Sequence, residues 1–159
     1  MPEVRVTEEQ PAHFPLVLGP VSDESVWPSF VHHPVSAGRD VYGLLTPGEG
    51  VKVGIHGNGP AVDPEARDPR PDPLRLAALR EYVAEWVPGA DADRPAVVSC
   101  LYDNAPDDAF VLDRVGQVTV ATGFSGHGFK FAPELGGMLA RLALDGAPPP
   151  ERFRLAASS

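Results

Sequence analysis

Residues 123–133 combine glycines, a histidine and a lysine in the order Gly-Phe-Ser-Gly-His-Gly-Phe-Lys-Phe-Ala-Pro. An apolar run precedes them, and the apolar segment 133–145 that follows is typical of a helix. A strand that enters a helix through a glycine-rich turn presents backbone N–H groups at the helix N-terminus, and Lys130 adds a positive charge there. This arrangement favours an anionic or electron-rich ligand. The glycine spacing differs from the dinucleotide fingerprint Gly-x-Gly-x-x-Gly: Gly123, Gly126 and Gly128.

Three further reactive side chains belong to predicted strands. Lys52 alternates with Val51 and Val53, so its ammonium group should point to the opposite face of the strand from the two valines. His56 comes four residues later and shares the face of Lys52, and for each of them an ordinary solvated surface position is the plain alternative. Cys100 is the only cysteine and ends an apolar strand, where a small buried hydrophobic residue is the plain alternative.

The elements that must position these groups follow from hydrophobic periodicity. Alternation predicts a series of short, mostly antiparallel strands, and a 3.6-residue period predicts two helices. Asp72 is a suitable N-cap for the first helix, with Pro73 at its first position. We expect residues 10–28, rich in Pro, Gly, Asp and Ser, to form an irregular surface excursion. The predicted strands are 4–8, 29–33, 40–45, 50–56, 96–102, 110–113 and 117–121, and the predicted helices are 74–87 and 133–144.

Composition narrows the classes of function. The 159 residues suit one compact domain or pieces of two, and a net charge of −9 argues against binding to nucleic acid or anionic membranes. No apolar run approaches about 18 residues, and the first residues lack the pattern of a secretory signal. One cysteine forms no internal disulfide, which favours the cytoplasm. His32 and His33 lack metal-ligand spacing with other residues, so we expect no metal.

Three separated motifs together resemble a flavoprotein family. They occur in the order and at about the intervals found in monomeric sarcosine oxidase and N-methyl-L-tryptophan oxidase, within the D-amino-acid-oxidase-like FAD enzymes. The resemblance covers nearly the whole chain, and the third motif is the most specific. The motifs are Val51-Lys-Val-Gly-Ile-His56, Cys100-Leu-Tyr-Asp-Asn-Ala-Pro-Asp-Asp-Ala-Phe-Val-Leu-Asp113 and Val120-Ala-Thr-Gly-Phe-Ser-Gly-His-Gly-Phe-Lys-Phe-Ala-Pro133.

The resemblance implies an α+β fold divided between two functional domains. Residues 1–99 would belong to the substrate domain, with a mostly antiparallel sheet and a flanking helix. Residues 100–159 would be the C-terminal part of the FAD-binding domain, with a strand, the glycine-rich loop and a helix. The sequence contains no match to the family's phosphate-binding Gly-x-Gly-x-x-Gly turn. We therefore expect an incomplete C-terminal portion that is inactive in isolation, for which an N-terminal-half polypeptide is one candidate partner.

The implied reaction is FAD-dependent oxidation of a secondary (N-methyl) amino acid, with O2 as acceptor, to an imine or aldehyde and H2O2. The catalytic residues would be Lys52, which serves O2, with His56 and His127. Lys130, which pairs with the substrate carboxylate, Tyr102 and Tyr42 would bind the substrate. Cys100 would hold FAD, possibly through a covalent thioether. The other cofactor-binding residues implied are Gly123, Phe124, Ser125, Gly126, Gly128, Phe129 and Lys130.

Two departures from the family pattern fall near the substrate pocket. Ile55 stands where an aromatic residue is usual, and Tyr42-Gly-Leu-Leu45 lacks the Phe-Pro that often follows Tyr-Gly. The particular amine therefore stays open. Two alternatives to an oxidase also stay open, namely a non-catalytic remnant or interaction module, and one subunit of a split flavin oxidase.

Overall fold

The computed structural model describes residues 3–17, 24–33, 39–68 and 70–155, and the chain divides into two compact units. We call Glu8–Leu101 the sheet unit, and Met1–Thr7 with Tyr102–Ser159 the loop unit. Strands β1 (Arg5–Glu9) and β7 (Cys100–Asn104) pair in a two-stranded sheet, and each runs across the division of the chain. The assignment of residues 1–99 and 100–159 to a substrate domain and an FAD-binding domain stays a prediction.

The sheet unit contains a five-stranded sheet of antiparallel pairs in the order β3-β4-β5-β2-β6. The predicted strands at 29–33, 40–45 and 50–56 are all present, in the predicted antiparallel arrangement. The bounds are β2 Ala12–Phe14, β3 Phe30–His32, β4 Val41–Thr46, β5 Gly50–Ile55 and β6 Ala96–Val97.

Strand β2 corrects the prediction of an irregular surface excursion at residues 10–28. It lies between β5 and β6 in the sheet, and Ala12 and Phe14 are completely buried. The turn-forming residues around this three-residue strand mask its alternating pattern in the sequence. Its position in the sheet is determined by pairing with β5 and β6. A short 3-10 turn also forms at Glu24–Val26, whereas residues 18–23 of the predicted excursion lie outside the described residues.

Helix α1 (Pro73–Trp86) covers one face of this sheet. The predicted cap is confirmed, because the side chain of Asp72 accepts hydrogen bonds from the N–H groups of Leu74 at 2.8 Å and Arg75 at 3.3 Å. Burial of apolar side chains between helix and sheet supplies the main stabilisation of this unit. The buried core comprises Ala12, Phe14, Val41, Val51, Val53, Leu79, Val83 and Val87.

The loop unit contains a hairpin and a helix. Strands β8 (Val111–Val115) and β9 (Val118–Thr122) pair around a two-residue turn in which Gly116 has a φ of +62°, a conformation that glycine adopts readily. Helix α2 (Ala132–Asp145) ends at Gly146 with a left-handed φ of +68°. Leu112, Leu135 and Leu142 are buried.

The predicted strand 96–102 is instead two strands. Its first part is β6, which pairs with β2, and its second part belongs to β7, which pairs with β1. A single apolar run cannot show where a chain changes its pairing partner. The expected class, α+β with mostly antiparallel pairing and few helices, is confirmed.

Among the described residues no helix has the length and apolar character needed to cross a membrane. Within the same residues no cluster of three or more histidine, cysteine or acidic side chains is arranged to hold a metal ion. The cytoplasmic location stays a prediction.

Candidate functional site

The sheet unit places Lys52 on the face of the sheet opposite its core. Val51 and Val53 on β5 are completely buried beneath α1, and the pleat therefore turns the intervening Lys52 to the other face. Across the strands its register partners are His13 on β2 and Leu44 on β4. We call this surface the lysine face, formed by His13, Tyr42, Leu44, Lys52 and Gly54.

Tyr42 lies over Gly54 on the lysine face. The two are register partners, and a Cβ at position 54 would lie 2.6 Å from the Tyr42 hydroxyl oxygen and 2.7 Å from Cζ. Real Cβ atoms do not approach other atoms so closely, so the aromatic ring occupies the space that a side chain at 54 would need. Gly54 separates Lys52 from His56 along the chain. The ring of Tyr42 therefore packs against the part of the chain that joins Lys52 to His56, the two candidate catalytic residues of the sheet unit.

His56 is half-buried and follows β5 directly. Its N–H donates to the carbonyl of Asp40 at 2.8 Å. The loop after it is held by Glu9, a carboxylate only 2% exposed that accepts hydrogen bonds from the N–H groups of Asn58 at 3.2 Å and Gly59 at 3.1 Å. Hydrogen bonds therefore fix the backbone both at His56 and in the loop that follows it.

His13 is a residue of the lysine face that sequence reasoning missed. It is only 8% exposed, and its Nδ1 atom lies 3.3 Å from Oε2 of Glu49, in the turn between β4 and β5. That places an ionisable pair beside Lys52 in the β2–β5 register. The signal that points to it is the apolar–polar–apolar alternation of Ala12, His13 and Phe14, which the surrounding prolines obscured.

Cys100 and Tyr102 both belong to β7 and are both half-buried. Cys100 is the last residue but one of the sheet unit, and Tyr102 is in the loop unit. Alternation along a strand puts residues i and i+2 on the same face of β7. The thiol is thus neither fully exposed nor sealed in a core.

The glycine-rich loop begins with two N–H groups that already have an acceptor. Gly123 donates to Oδ2 of Asp103 at 2.8 Å, and Phe124 donates to Oδ1 of the same carboxylate at 3.1 Å. The predicted strand 96–102 stops short of Asp103, and sequence reasoning assigned this residue no role of its own. The signal available was an aspartate directly after Tyr102, because a short carboxylate readily accepts from backbone N–H groups.

The middle of the loop packs so tightly that its glycines are required. Gly126 has a φ of +76°, and a Cβ there would lie 2.4 Å from Cε2 of Tyr102. A Cβ at Gly128 would lie 2.9 Å from the Phe124 side chain. Ser125 has a φ of +48° and is 2% exposed, and its hydroxyl oxygen accepts from the N–H of Ala105 at 3.2 Å. The side chain of Ser125 is therefore buried and bonded within the loop unit, and its role as a cofactor-binding residue stays a prediction.

The end of the loop presents a cation and an aromatic ring to the outside. A 3-10 turn, Gly128–Phe131, comes between the loop and α2, and its first N–H groups have no acceptor within the turn. Phe129 is 95% exposed, and Lys130 is exposed with its Nζ 5.1 Å from the centroid of the Phe131 ring. His127, half-buried, donates its N–H to the carbonyl of Phe124 at 2.7 Å.

The candidate residues thus form two groups, one in each unit. In the sheet unit the structure brings together Lys52, Tyr42 and the segment leading to His56. In the loop unit it brings together Tyr102 and the loop from Gly123 to Lys130. Lys52 and Lys130 are the only two lysines in the sequence, and each is at one of these groups.

Comparison with known proteins identifies a family over most of the chain. Residues 3–142 match a family model described as FAD dependent oxidoreductase. A monomeric sarcosine oxidase of Bacillus sp. (strain NS-129) is 38% identical over 104 residues, which cover 62% of this chain and 27% of that protein. The monomeric sarcosine oxidase of Streptomyces avermitilis is 35% identical over 127 residues, covering 72% and 33%. The N-methyl-L-tryptophan oxidase of Salmonella agona is 34% identical over 140 residues, covering 82% and 36%.

Solved structures show a similar fold. NikD, an amino acid oxidase essential for nikkomycin biosynthesis, superposes with a TM-score of 0.71 at 20% identity, covering 95% of this chain and 42% of that one. Iminodiacetate oxidase from Chelativorans sp. BNC1 gives a TM-score of 0.67 at 23% identity, covering 97% and 40%. At these identities the likeness concerns the fold alone. The chain spans about a quarter to a third of the length of the sarcosine oxidases that it matches.

Proposed function

The chain belongs to the FAD-dependent oxidoreductase family, in its amino acid oxidase-like branch, and on that premise we propose that it forms the C-terminal part of an oxidase of secondary, N-methylated amino acids. In the proposed reaction an N-methyl amino acid, O2 and water give an aldehyde, the primary amino acid and H2O2. The match of residues 3–142 to the family is the observation that carries this proposal.

The residues of the glycine-rich loop fit FAD in their chemistry. The opening N–H groups of the 3-10 turn are hydrogen-bond donors, Lys130 is a cation, and the exposed ring of Phe129 is a flat apolar surface. A flavin ring has carbonyl oxygens, an apolar face and a negative charge when reduced, so this donor set suits it. When bound, FAD accepts the two electrons and the hydrogen removed from the carbon beside the amine nitrogen.

Lys130 is proposed to bind the substrate carboxylate. It stands at the beginning of α2, where a cation opposes the helix dipole, so an anion beside it relieves an unfavourable interaction. Lys130 therefore orients the substrate, and Tyr42 and Tyr102 are proposed as further substrate-binding residues.

Lys52 is proposed to promote the reaction with O2, the step that follows oxidation of the substrate. Lys52 lies on the lysine face between β2 and β4, and a cation held near O2 would stabilise the negative charge that develops when O2 takes up an electron. His56 and His127 are proposed to hold and move the protons that leave the amine and reach the peroxide. His56 suits that task because the backbone on both sides of it is fixed.

Cys100 is proposed as the covalent attachment point of FAD. Such a thioether would require the thiol and a ring methyl group each to lose one hydrogen, with O2 taking up the two electrons and two protons as H2O2. Cys100 lies at the beginning of β7 and is half-buried, so it is not enclosed in a core. As the only thiol in the sequence, it can be tested by one substitution.

The experiment measures peroxide formation by the purified chain with FAD, sarcosine and N-methyl-L-tryptophan. The chain is tested alone and after co-expression with the reading frames next to its gene, because the family's phosphate-binding Gly-x-Gly-x-x-Gly turn is not among its 159 residues. We expect substrate-dependent peroxide in a preparation that contains both parts. Absence of flavin and of peroxide from every preparation contradicts the proposal and favours the non-catalytic interaction module.

Lysine substitutions assign the two roles separately. Lys130→Met should raise KM strongly, whereas Lys130→Arg, which keeps the charge, should raise it less. Lys52→Met should slow the reaction with O2 and leave reduction of the flavin by substrate largely unchanged, as stopped-flow absorbance can show.

Cys100→Ser tests the covalent attachment. Acid precipitation should release the flavin from Cys100→Ser, whereas the flavin of the wild type should stay with the precipitated protein.

A further inference from the structure

Asp103 ties the glycine-rich loop to β7 through both side chain and backbone. Besides the N–H groups of Gly123 and Phe124, its carboxylate accepts a hydrogen bond from the hydroxyl of Thr122 at 3.1 Å. Its backbone carbonyl accepts from the N–H of Ser125 at 3.2 Å. Four consecutive residues, the last of β9 and the first three of the loop, are thus bonded to Asp103.

These bonds determine which donors of the loop are available. An N–H group that donates to a half-buried carboxylate is directed toward that carboxylate and away from any other acceptor. Gly123, Phe124 and Ser125 are engaged with Asp103, and His127 donates to the carbonyl of Phe124. The donors that remain for a ligand begin with the N–H of Gly126 and continue with those that open the 3-10 turn.

We propose that Asp103 is a positioning residue that selects, by engaging the first N–H groups of the loop, which backbone donors face the bound ligand. This deepens the flavin site proposed above and rests on that proposal only for the identity of the ligand. The anion-binding end of the loop is then confined to Gly126–Lys130, and the end at Gly123 carries the negative charge of Asp103 instead.

A carboxylate is required because both of its oxygens are in use. Oδ2 accepts from Thr122 and Gly123, and Oδ1 accepts from Phe124. An asparagine has the same shape but only one acceptor oxygen, so its NH2 group would oppose one of the two N–H groups. Asp103→Asn therefore changes the hydrogen bonds at nearly constant volume.

Hydrogen exchange of the full chain, followed by NMR, tests the proposal without flavin. In Asp103→Asn we expect the amide of Gly123 or Phe124 to exchange about tenfold faster or more. Asp107→Asn is the matched control, since it removes the same charge from the exposed turn between β7 and β8, where Asp107 accepts from Ala109. Unchanged exchange at both Gly123 and Phe124 in Asp103→Asn overturns the proposal.

NMR of the wild-type chain gives a second readout that does not depend on how a variant folds. Scalar coupling across hydrogen bonds should connect the amide nitrogens of Gly123 and Phe124 to the Asp103 carboxyl carbon, while the amide of Phe129 should show no such coupling. Absence of coupling to this carboxyl carbon at both 123 and 124 overturns the proposal. Because neither measurement contains FAD, a positive result together with a failure to bind flavin would reject the proposed function and leave the role of Asp103 in place.

Discussion

At the scale of single residues, the candidate site depends on glycines that make room for aromatic rings. Gly54 admits Tyr42, and Gly126 admits Tyr102, each with less than 3 Å to the position of a Cβ. Both tyrosines were predicted as substrate-binding residues from the resemblance. The structure adds that the position of each ring is determined by a glycine on a neighbouring segment.

Gly54→Ala should therefore destabilise the sheet unit. Forcing a Cβ against the Tyr42 ring requires the ring or β5 to shift, and overpacking of this kind costs about 1–3 kcal/mol. Urea unfolding followed by tryptophan fluorescence measures the loss, because both tryptophans, Trp27 and Trp86, belong to the sheet unit.

A double-mutant cycle provides the control for Gly54→Ala. In a Tyr42→Val background the ring is gone, so adding the alanine should cost much less. An equal loss with and without the ring would show that the glycine is needed for another reason.

At the scale of elements, α1 shows how a local sequence signal determines a boundary. Asp72 and Pro73 define the first turn, and the structure begins the helix where they predict. The cap is also anchored to the segment after β1, because Gln10 accepts a hydrogen bond from the N–H of Asp72 at 2.7 Å and donates to its carbonyl at 3.1 Å. The helix that covers the core thus has its N-terminus fixed by side-chain bonds.

Asp72→Ala should lower the free energy of unfolding of the sheet unit by about 1 kcal/mol, since the N–H groups of Leu74 and Arg75 lose their acceptor. Asp72→Asn retains an acceptor oxygen and should cost clearly less. Fluorescence of Trp86, on this helix, reports both variants in urea. Equal losses for alanine and asparagine would argue against capping as the cause.

Tyr82 on α1 gives a pH-dependent prediction. Its hydroxyl oxygen lies 2.8 Å from Nδ1 of His32 on β3, and burial raises its pKa above the ordinary value near 10. The folded state holds this proton at pH values where the unfolded chain has released it. Its contribution to stability is therefore complete below about pH 10 and is lost as the pH rises toward the raised pKa.

Absorbance at 295 nm checks this titration. The chain has three tyrosines, and the component that disappears in Tyr82→Phe should have its midpoint above the ordinary range. A missing component with an ordinary midpoint would contradict the effect of burial.

At the scale of the whole molecule, the negative net charge disfavours polyanions such as nucleic acids as partners. With a net charge of −9, the chain should repel polyanions at long range. The exposed ammonium group of Lys130 is a local positive charge, which suits the small carboxylate anion proposed as its partner.

Duplex DNA of random sequence should therefore show no binding to the chain in fluorescence anisotropy at physiological salt, because counterion release by a few exposed basic groups is too small an effect. A basic DNA-binding domain assayed in the same buffer is the positive control. Binding that weakens steeply with added salt would contradict the prediction.

The sequence alone determined the family, the fold class, the antiparallel strands at 29–56 and the helix after Asp72, because periodicity, capping and specific motifs are local properties of the chain. Tertiary structure alone decided the central place of β2, the exchange of partners between β6 and β7, and the burial of His13. Each of these depends on contacts between segments far apart in sequence. The same holds for the glycine-rich loop, where the residues predict a set of N–H donors but only the position of Asp103 shows which of them are already bonded.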